Sequence, residues 1–214
     1  AGESGAAAAP AVTDALLQGL PPALAEAGLA TLTEVSAAAG VPAFVLYMHH
    51  RQSSVRRAAA RGLAKAGGPE AVAALQRLLR DGDAGVRGLA ATGLGALRAR
   101  EAVPDLVLAL ERRVPEAAVA LGRSCEGAAC DGLLAHTGTV PFSIIGPGLE
   151  ALVLRPAAEV DEPRKLRVVS AVRELGTHEG HELLKRLAAA LGNNASPALS
   201  QALREAIAAT EASP

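Results

Sequence analysis

The sequence predicts an all-α protein, a right-handed α-solenoid of about five helical hairpins closed by a C-terminal capping helix. Three observations indicate this fold. A 31-residue pattern occupies residues 55–85 and recurs directly at 86–116. Apolar residues within each block recur three and four positions apart, the period of a helix with one buried stripe. Half of the 214 residues are apolar but only 1% are aromatic, so the core consists of small aliphatic side chains that suit closely packed helices.

Sliding the sequence by 31 residues aligns three successive blocks whose apolar columns agree. One hairpin of about 30 residues cannot bury its own apolar stripe, whereas neighbouring hairpins in register bury each other's. We therefore expect the residues of four columns to form the core. These columns are Leu32, Leu63 and Leu94; Phe44, Leu75 and Leu106; Tyr47, Leu78 and Ala109; and Met48, Leu79 and Leu110.

Each block is predicted to form two antiparallel helices. In the clearest block they run over about 55–66 and 70–80, because the Gly-Gly-Pro sequence at 67–69 ends one helix and begins the next. Asp83 is placed to cap the following helix at Val86, since a side-chain oxygen before a helix accepts a hydrogen bond from its first turn. Ser53 or Ser54 is expected to do the same one block earlier.

The repeated pattern resembles a known repeat family. The blocks carry an acid or Ser, then Val-Arg, two alanines, Gly-Leu-Gly, a break, Glu-Ala-Val-Pro and a closing leucine run. This pattern is similar to the HEAT-like repeat of the phycocyanobilin lyase type, most strongly over residues 53–113, then over 24–52, and with gaps to about 192. The resemblance implies stacked helical hairpins. It implies no single activity, because similar repeats occur in lyase subunits, hydroxylases and many adaptors.

The repeat loses its register beyond residue 116. Four prolines punctuate residues 137–163, where one clear helix is expected near Leu149–Leu154. The pattern resumes at 164 and ends with a helix over about Pro197 to Thr210. The predicted organisation is a flexible segment at 1–10 and one domain at 11–214, with regular repeats at 24–116, irregular units at 117–163, and a repeat plus cap at 164–214.

Composition narrows the cellular setting. No run of about eighteen uncharged apolar residues appears, so no transmembrane helix is predicted. The chain opens with the small-residue stretch AGESGAAAAP and has no initiator Met. Two origins account for this start: removal of a signal peptide, or a boundary set at expression. Together with the cysteine pair described below, the stretch favours an exported or periplasmic location over the cytoplasm.

Basic residues concentrate in the clearest repeats. Residues 51–100 hold ten basic and three acidic residues, although the net charge of the chain is −1. Two interpretations stay open: an electropositive band that attracts an acidic partner or a polyanion, or a solvated face on which arginines pair with nearby acids. Nucleic acid is not an expected partner, because strand binding uses aromatic platforms and the aromatic residues here are only Phe44, Tyr47 and Phe142.

The HEGHE sequence at residues 178–182 invites a metal hypothesis, since His178, His181 and Glu182 can share a helix face. His181, however, falls in the inward column of Val72 and Val103, and no second ligand cluster is spaced to complete a site. Hydroxylases of the deoxyhypusine type, which resemble this fold, distribute several His-Glu pairs over symmetric repeats, whereas both pairs here lie in one unit. We therefore predict no metal site.

Cys125 and Cys130 flank the break after a shortened helix, and Cys130 takes the inward column of Val72. Two interpretations stay open. A disulfide across the break would rigidify the unit whose register is damaged and would indicate an oxidising compartment. Alternatively, both are buried free thiols that pack as small apolar residues. Redox catalysis is not expected, because the spacing is not Cys-x-x-Cys.

The sequence predicts no catalytic residues and no cofactor. It contains no Gly-rich phosphate loop, Ser-His-Asp arrangement or paired-carboxylate cleft, and Gly62, Gly93 and Gly95 are explained by close contact between helices. A lyase would have to hold a large tetrapyrrole, and no aromatic or basic pocket pattern accompanies the repeat. An enzyme subunit resembling the lyases or hydroxylases is the alternative to the function expected below.

We expect a non-enzymatic scaffold or adaptor that binds another protein, one with an acidic surface being favoured by the basic block. The binding face is expected along the second helices, which line a groove continuous across the repeats. Its candidate residues are His49, His50, Gln76, Arg77, Arg80, Asp105, Glu111 and Arg112. A second candidate is the apolar segment 137–147, since loops on a regular scaffold often carry specificity. Phe142, Ile144 and Ile145 are its candidate contact residues. Alternatively, these side chains only pack against their own repeat unit.

Overall fold

A computed structural model describes the backbone of residues 2–211 and the side chains of residues 8–211. Within that range the chain forms thirteen α-helices and no strand beyond an isolated bridge between Thr137 and Val140. The protein is therefore all-α, as predicted. Over the same residues, no helix combines the length and the apolar content that crossing a membrane requires.

The chain divides into two compact units, one ending at Asp105 and the next beginning at Leu106. The sequence indicated one domain whose register changes near residue 116, whereas the division falls inside a helix. The first unit holds α1 (Gly2–Leu17), α2 (Pro22–Ser36), α3 (Val41–Tyr47), α4 (Ser53–Ala66), α5 (Gly68–Leu78) and α6 (Ala84–Ala96), and α7 (Val103–Glu111) spans the division. The second holds α8 (Pro115–Ser124), α9 (Asp131–Ala135), α10 (Phe142–Val153), α11 (Glu162–Leu175), α12 (His178–Leu191) and α13 (Pro197–Glu211).

In the first unit, the first helices of successive pairs pack side by side. Helix α4 contacts α2 on one side and α6 on the other, and α3 packs against α4 and α5. This is the stacking of helical hairpins that the repeat predicts. The four predicted core columns are all confirmed, because every one of their side chains is at most 5% exposed.

The predicted helix boundaries of the clearest repeat are largely confirmed. Gly67 ends α4 with a φ of 66°, a conformation that favours glycine, and α5 follows at once. Asp83 caps α6 as predicted, since its Oδ1 accepts a hydrogen bond from the Val86 N–H at 3.0 Å. The predicted cap at Ser53 or Ser54 is wrong. Both residues lie inside α4, and the Ser54 hydroxyl donates instead to Glu26 Oε1 at 2.5 Å.

The segment 137–147 is a turn followed by a helix, whereas its prolines indicated an irregular loop throughout. Helix α10 begins at Phe142, seven residues before the predicted start, and the Pro141 carbonyl accepts hydrogen bonds from the Ile144 and Ile145 N–H groups. Pro147 lies inside this helix and removes only one backbone donor. Ile145 is fully buried and Phe142 and Ile144 are partly buried. The loop interpretation is therefore wrong for residues 142–147, which lie in a helix, whereas a role of Phe142, Ile144 and Ile145 in binding stays a prediction.

Helices α8 and α10 make the closest approach in the second unit, through two glycines. A Cβ on Gly148 would lie 2.4 Å from the Ala118 carbonyl oxygen, and one on Gly122 would lie 2.2 Å from the Gly148 carbonyl oxygen. In the first unit, the predicted close contact at Gly62 also depends on the absence of a Cβ, since a Cβ there would lie 2.2 Å from the Phe44 ring. The sequence did not indicate Gly122 and Gly148, because they lie beyond the regular register of the repeat.

The two ends of the array are helical. Helix α13 matches the predicted last helix and packs against α11 and α12. Residues 2–10, which were expected to form a flexible segment before the domain, belong to α1, which packs against α2 and α3. Position 11 therefore marks no boundary between elements, and Ala1 lies outside the described residues.

Candidate interaction surface

Two equivalent arginines bind each repeat to the turn before it. Arg56 Nη1 donates to the carbonyls of His50 and Arg51 at 2.8 and 3.1 Å. Arg87, 31 residues later, donates from the same atom to the carbonyls of Asp81 and Gly82 at 2.8 and 3.1 Å. The acceptors are also 31 residues apart. The repeated Val-Arg pair thus has a structural role that fixes how one hairpin follows the next.

Two aspartates in the turn before α6 bind two arginines of α4. Asp81 receives Nε and Nη2 of Arg56 at 2.7 and 2.8 Å, and Asp83 receives Nε and Nη2 of Arg57 at 3.0 and 2.7 Å. The Arg57 guanidinium, followed by the Val86 N–H, lowers the pKa of Asp83 to about 2. Burial opposes ionisation of Asp81, but the hydrogen bonds from Arg56 and the Asp83 N–H outweigh it, so its pKa is also lowered.

Most residues of the basic block have partners in the chain rather than being free to form a band. Besides Arg56, Arg57 and Arg87, Lys65 pairs with Glu34 at 3.0 Å. Arg98 and Arg100 also have partners. Arg56, Arg57, Lys65 and Arg80 pair with nearby acids, as the interpretation of a solvated face expects. The surface on which a positive charge stays available is therefore smaller than the block.

One such surface lies on α5, the turn after it and α7. Asp105 accepts hydrogen bonds from Gln76 Nε2 at 2.9 Å and from Arg80 Nη2 at 3.0 Å, which joins neighbouring second helices. An open depression at this point is lined by Gln76, Arg80 and Asp105 together with Ala73 and Arg77. We call Gln76, Arg77, Arg80 and Asp105 the α5 surface. Arg77 is exposed and makes no ion pair with the residues that the structure describes, so this surface carries one excess positive charge.

The other predicted groove residues lie elsewhere. His49 is exposed just after α3. His50 is engaged in the local structure, because its Nδ1 accepts the Gln52 N–H at 3.1 Å and its ring stacks on Tyr47 at 6.1 Å between centroids. Glu111 and Arg112 are exposed at the end of α7, on the second unit's side of the division. Four of the eight candidates are thus brought together.

The HEGHE sequence serves the packing of the last helices. His181 Nδ1 lies 2.9 Å from Thr210 Oγ1 of α13 in a hydrogen bond, as its inward column indicated. The Lys185 ammonium donates to Glu182 at 3.1 Å and lowers the pKa of that carboxyl. Among the residues described, no three side chains of the metal-binding types cluster as a site.

Cys125 and Cys130 form a disulfide between the end of α8 and the turn that leads to α9. Both residues are at most 1% exposed. The guanidinium of Arg155 lies against this bridge and donates from Nη1 to the carbonyls of Cys125 at 2.6 Å and Gly122 at 3.3 Å. A cation at a helix C-terminus is favourable because the last carbonyls are otherwise unpaired.

Arg155 and its neighbour Lys165 are two buried basic residues that the sequence did not indicate. They are 8% and 6% exposed, and the Lys165 ammonium donates to the Arg155 carbonyl. Burial, together with the like charge of Arg155, lowers the pKa of Lys165. Arg155 lies in the stretch 137–163, where the repeat loses its register, and Lys165 comes directly after that stretch, so neither residue stood out as a candidate in the sequence.

Comparison with known proteins confirms the predicted resemblance. A family model described as HEAT repeats matches residues 9–87, and the model of the PBS lyase HEAT-like repeat matches residues 86–112. No curated protein matches the chain. The chain is similar to the solved structure of an engineered protein at 20% identity and a TM-score of 0.48, with 96% of this chain and 97% of that chain covered. It is also similar to a designed armadillo repeat protein at 17% identity and a TM-score of 0.40, with 94% of this chain and 99% of that chain covered.

Proposed function

The chain carries HEAT-like repeats over residues 9–112, and on that premise we propose that it is a non-enzymatic scaffold that binds another protein. The binding site is the α5 surface, and the partner presents an acidic group to it. One observation carries this proposal: Arg77 is exposed and has no partner in the described chain, beside an Arg80 that is 64% exposed.

The contacts around the α5 surface support an acidic rather than a basic partner. Asp105 is the carboxylate that the structure places on this surface, and it already accepts hydrogen bonds from Gln76 of α5 and from Arg80 in the turn after α5. Arg80 uses one guanidinium nitrogen for Asp105 at 3.0 Å, and a guanidinium has five N–H donors. Donors from Arg77 and Arg80 therefore stay available for a carboxylate or phosphate of a partner.

Partner capture by matched variants tests the proposal. Wild-type protein and the double variant Arg77→Ala/Arg80→Ala are immobilised, exposed to an extract of the source organism, and compared by quantitative mass spectrometry. The double variant should lose most of at least one captured protein. Arg61→Ala is the control, because Arg61 is an exposed arginine of α4 in the same unit. Equal capture by all three proteins would contradict a role for the α5 surface.

The enzyme alternative has its own test. A lyase-like or hydroxylase-like subunit would hold a chromophore or iron, so the scaffold proposal expects neither in the protein purified from its source. Metal analysis and an absorption spectrum measure this directly. Stoichiometric iron, or a visible absorption band that survives dialysis, would overturn the non-enzymatic assignment.

The disulfide supports the expectation of an oxidising compartment, because such bonds persist in exported proteins and are rare in the cytoplasm. Thiol titration of unreduced, denatured protein isolated from the source organism should find no free thiol. Two free thiols per chain would count against export.

A further inference from the structure

A pocket of about 160 Å³ opens in the second unit, between the segment after α10, helix α11, and the turn that joins α12 to α13. Much of its wall is apolar. The apolar side chains that line it are Leu154, Pro156, Ala157, Leu191 and Leu199. Leu154 is 41% exposed, whereas Leu199 is 3% exposed, so the apolar wall extends from the protein surface to the core.

Lys165 lines the same pocket and is 94% buried, being 6% exposed. Its ammonium has three N–H donors, and one of them binds the Arg155 carbonyl. Within the described residues Lys165 forms no ion pair. Glu162 also lines the pocket; its carboxylate accepts a hydrogen bond from the Ser196 hydroxyl at 2.5 Å and keeps its charge, which favours the ammonium of Lys165 less than burial and Arg155 disfavour it.

This arrangement leaves a buried cation incompletely compensated. Burying an ammonium without a counter-ion is unfavourable, and burial followed by the charge of Arg155 lowers the pKa of Lys165, while Glu162 opposes that change only in part. An anion placed in the pocket would compensate the ammonium and use its remaining donors. The wall next to it is suited to a hydrocarbon chain.

We propose that this pocket binds a short aliphatic monocarboxylate, whose carboxylate pairs with the Lys165 ammonium while its alkyl chain contacts the apolar wall. A protein cavity of about 150 Å³ accommodates benzene, a ligand of six heavy atoms, so a pocket of about 160 Å³ suits a molecule such as butyrate. The site is separate from the α5 surface and does not depend on the scaffold function.

Binding of butyrate and of its neutral isostere butyramide to the whole chain tests the proposal. The two ligands have the same number of heavy atoms and the same alkyl chain, so the difference between them isolates the charge. Calorimetry or ligand-observed NMR should show butyrate binding about tenfold or more tighter than butyramide. Equal binding of the two ligands, or no butyrate binding, would overturn the proposal.

Substitutions locate the binding. Lys165→Met keeps an unbranched side chain of similar shape and removes the ammonium, so it should abolish the preference for butyrate. Lys185→Met is the control, because Lys185 is 53% exposed on α12 and pairs with Glu182. If Lys165→Met does not fold, Leu154→Asp provides the second variant, since it places a negative charge on the exposed part of the wall and should weaken butyrate binding. Undiminished binding by Leu154→Asp or by folded Lys165→Met would contradict the proposed site.

Discussion

Arg56 illustrates what a repeated residue can mean at the scale of one side chain. The recurrence of Val-Arg after 31 residues was visible in the sequence, and it permitted either a positive band or a set of internal pairs. The structure shows internal bonds, because the turn before each arginine directs two backbone carbonyls toward the guanidinium. The sequence could not decide this, since the direction of those carbonyls depends on the turn geometry.

Arg56→Ala should destabilise the protein. The substitution leaves the carboxylate of Asp81, whose side chain is 10% exposed, without its guanidinium partner and removes the bonds to two carbonyls. We expect a loss of about 1–3 kcal/mol in the free energy of unfolding, measured by urea denaturation. The exposed Arg61→Ala is the control and should change it by less than about 0.5 kcal/mol. Equal effects of the two substitutions would show that the hydrogen bonds of Arg56 contribute nothing to the free energy of unfolding.

The lowered pKa of Asp83 predicts that the protein loses stability in acid. Its pKa is about 2 in the folded protein, first because Arg57 donates to it and then because the Val86 N–H does. An unfolded Asp has a pKa of about 3.9, so the unfolded state binds the proton first. The contribution of Asp83 is therefore complete above about pH 5 and is lost as the pH falls toward about 2.

Asp83→Asn isolates this contribution, because Asn also caps helices but carries no charge. The wild type should be more stable than the variant near neutral pH, and the difference in their free energies of unfolding should shrink as the pH is lowered. Denaturation curves across the acid range measure it. A difference that stays constant with pH would mean that the charge of Asp83 is not involved.

At the scale of helices, the prolines of residues 137–163 misled the sequence analysis. Pro141 and Pro147 were interpreted as breaks, but Pro141 lies at the start of α10 and Pro147 removes one backbone hydrogen bond inside it. The carbonyl that would have accepted that bond belongs to Ser143, which is exposed. The tight packing of α10 on α8 through Gly122 and Gly148 stabilises the helix, and a long-range contact of this kind is not marked by a local sequence pattern.

Gly148→Ala tests the packing of α8 on α10. The new Cβ would lie 2.4 Å from the Ala118 carbonyl oxygen, which belongs to the backbone. Overpacking should cost about 1–3 kcal/mol or more in the free energy of unfolding. Gly132→Ala is the matched control in the same unit, because its Cβ would meet Val107 at an ordinary 3.6 Å. A Gly148→Ala variant as stable as the control would show that the two helices are not held this closely.

At the scale of the whole molecule, the core was the most predictable feature and the binding site the least. The buried columns follow from the 31-residue period, because every repeat must bury the same stripe. The periodicity says nothing about which exposed side chains keep an available charge. Arg77 is exposed on α5 and Arg80 is exposed in the turn after it, and the hydrogen bond from Arg80 to Asp105 distinguishes the two arginines.

Leu75→Ala separates the role of the core from that of the surface. Leu75 is fully buried in the column of Phe44 and Leu106, so its truncation should cost about 2–5 kcal/mol by leaving a cavity. Chemical denaturation measures this loss, and capture of a partner under native conditions should persist. A cost near zero would contradict the shared core of the stacked repeats.

The most direct test of the scaffold is the affinity of the purified partner for wild-type protein and for Arg77→Ala/Arg80→Ala, measured as the ionic strength rises. Because salt screens exposed charges, the wild type should bind the partner more tightly than the double variant at low salt, and this advantage should vanish at high salt. The free energies of unfolding of the two proteins should agree within about 0.5 kcal/mol. Equal affinity of the two proteins at both low and high salt would show that the α5 surface is only solvated and that the partner binds elsewhere.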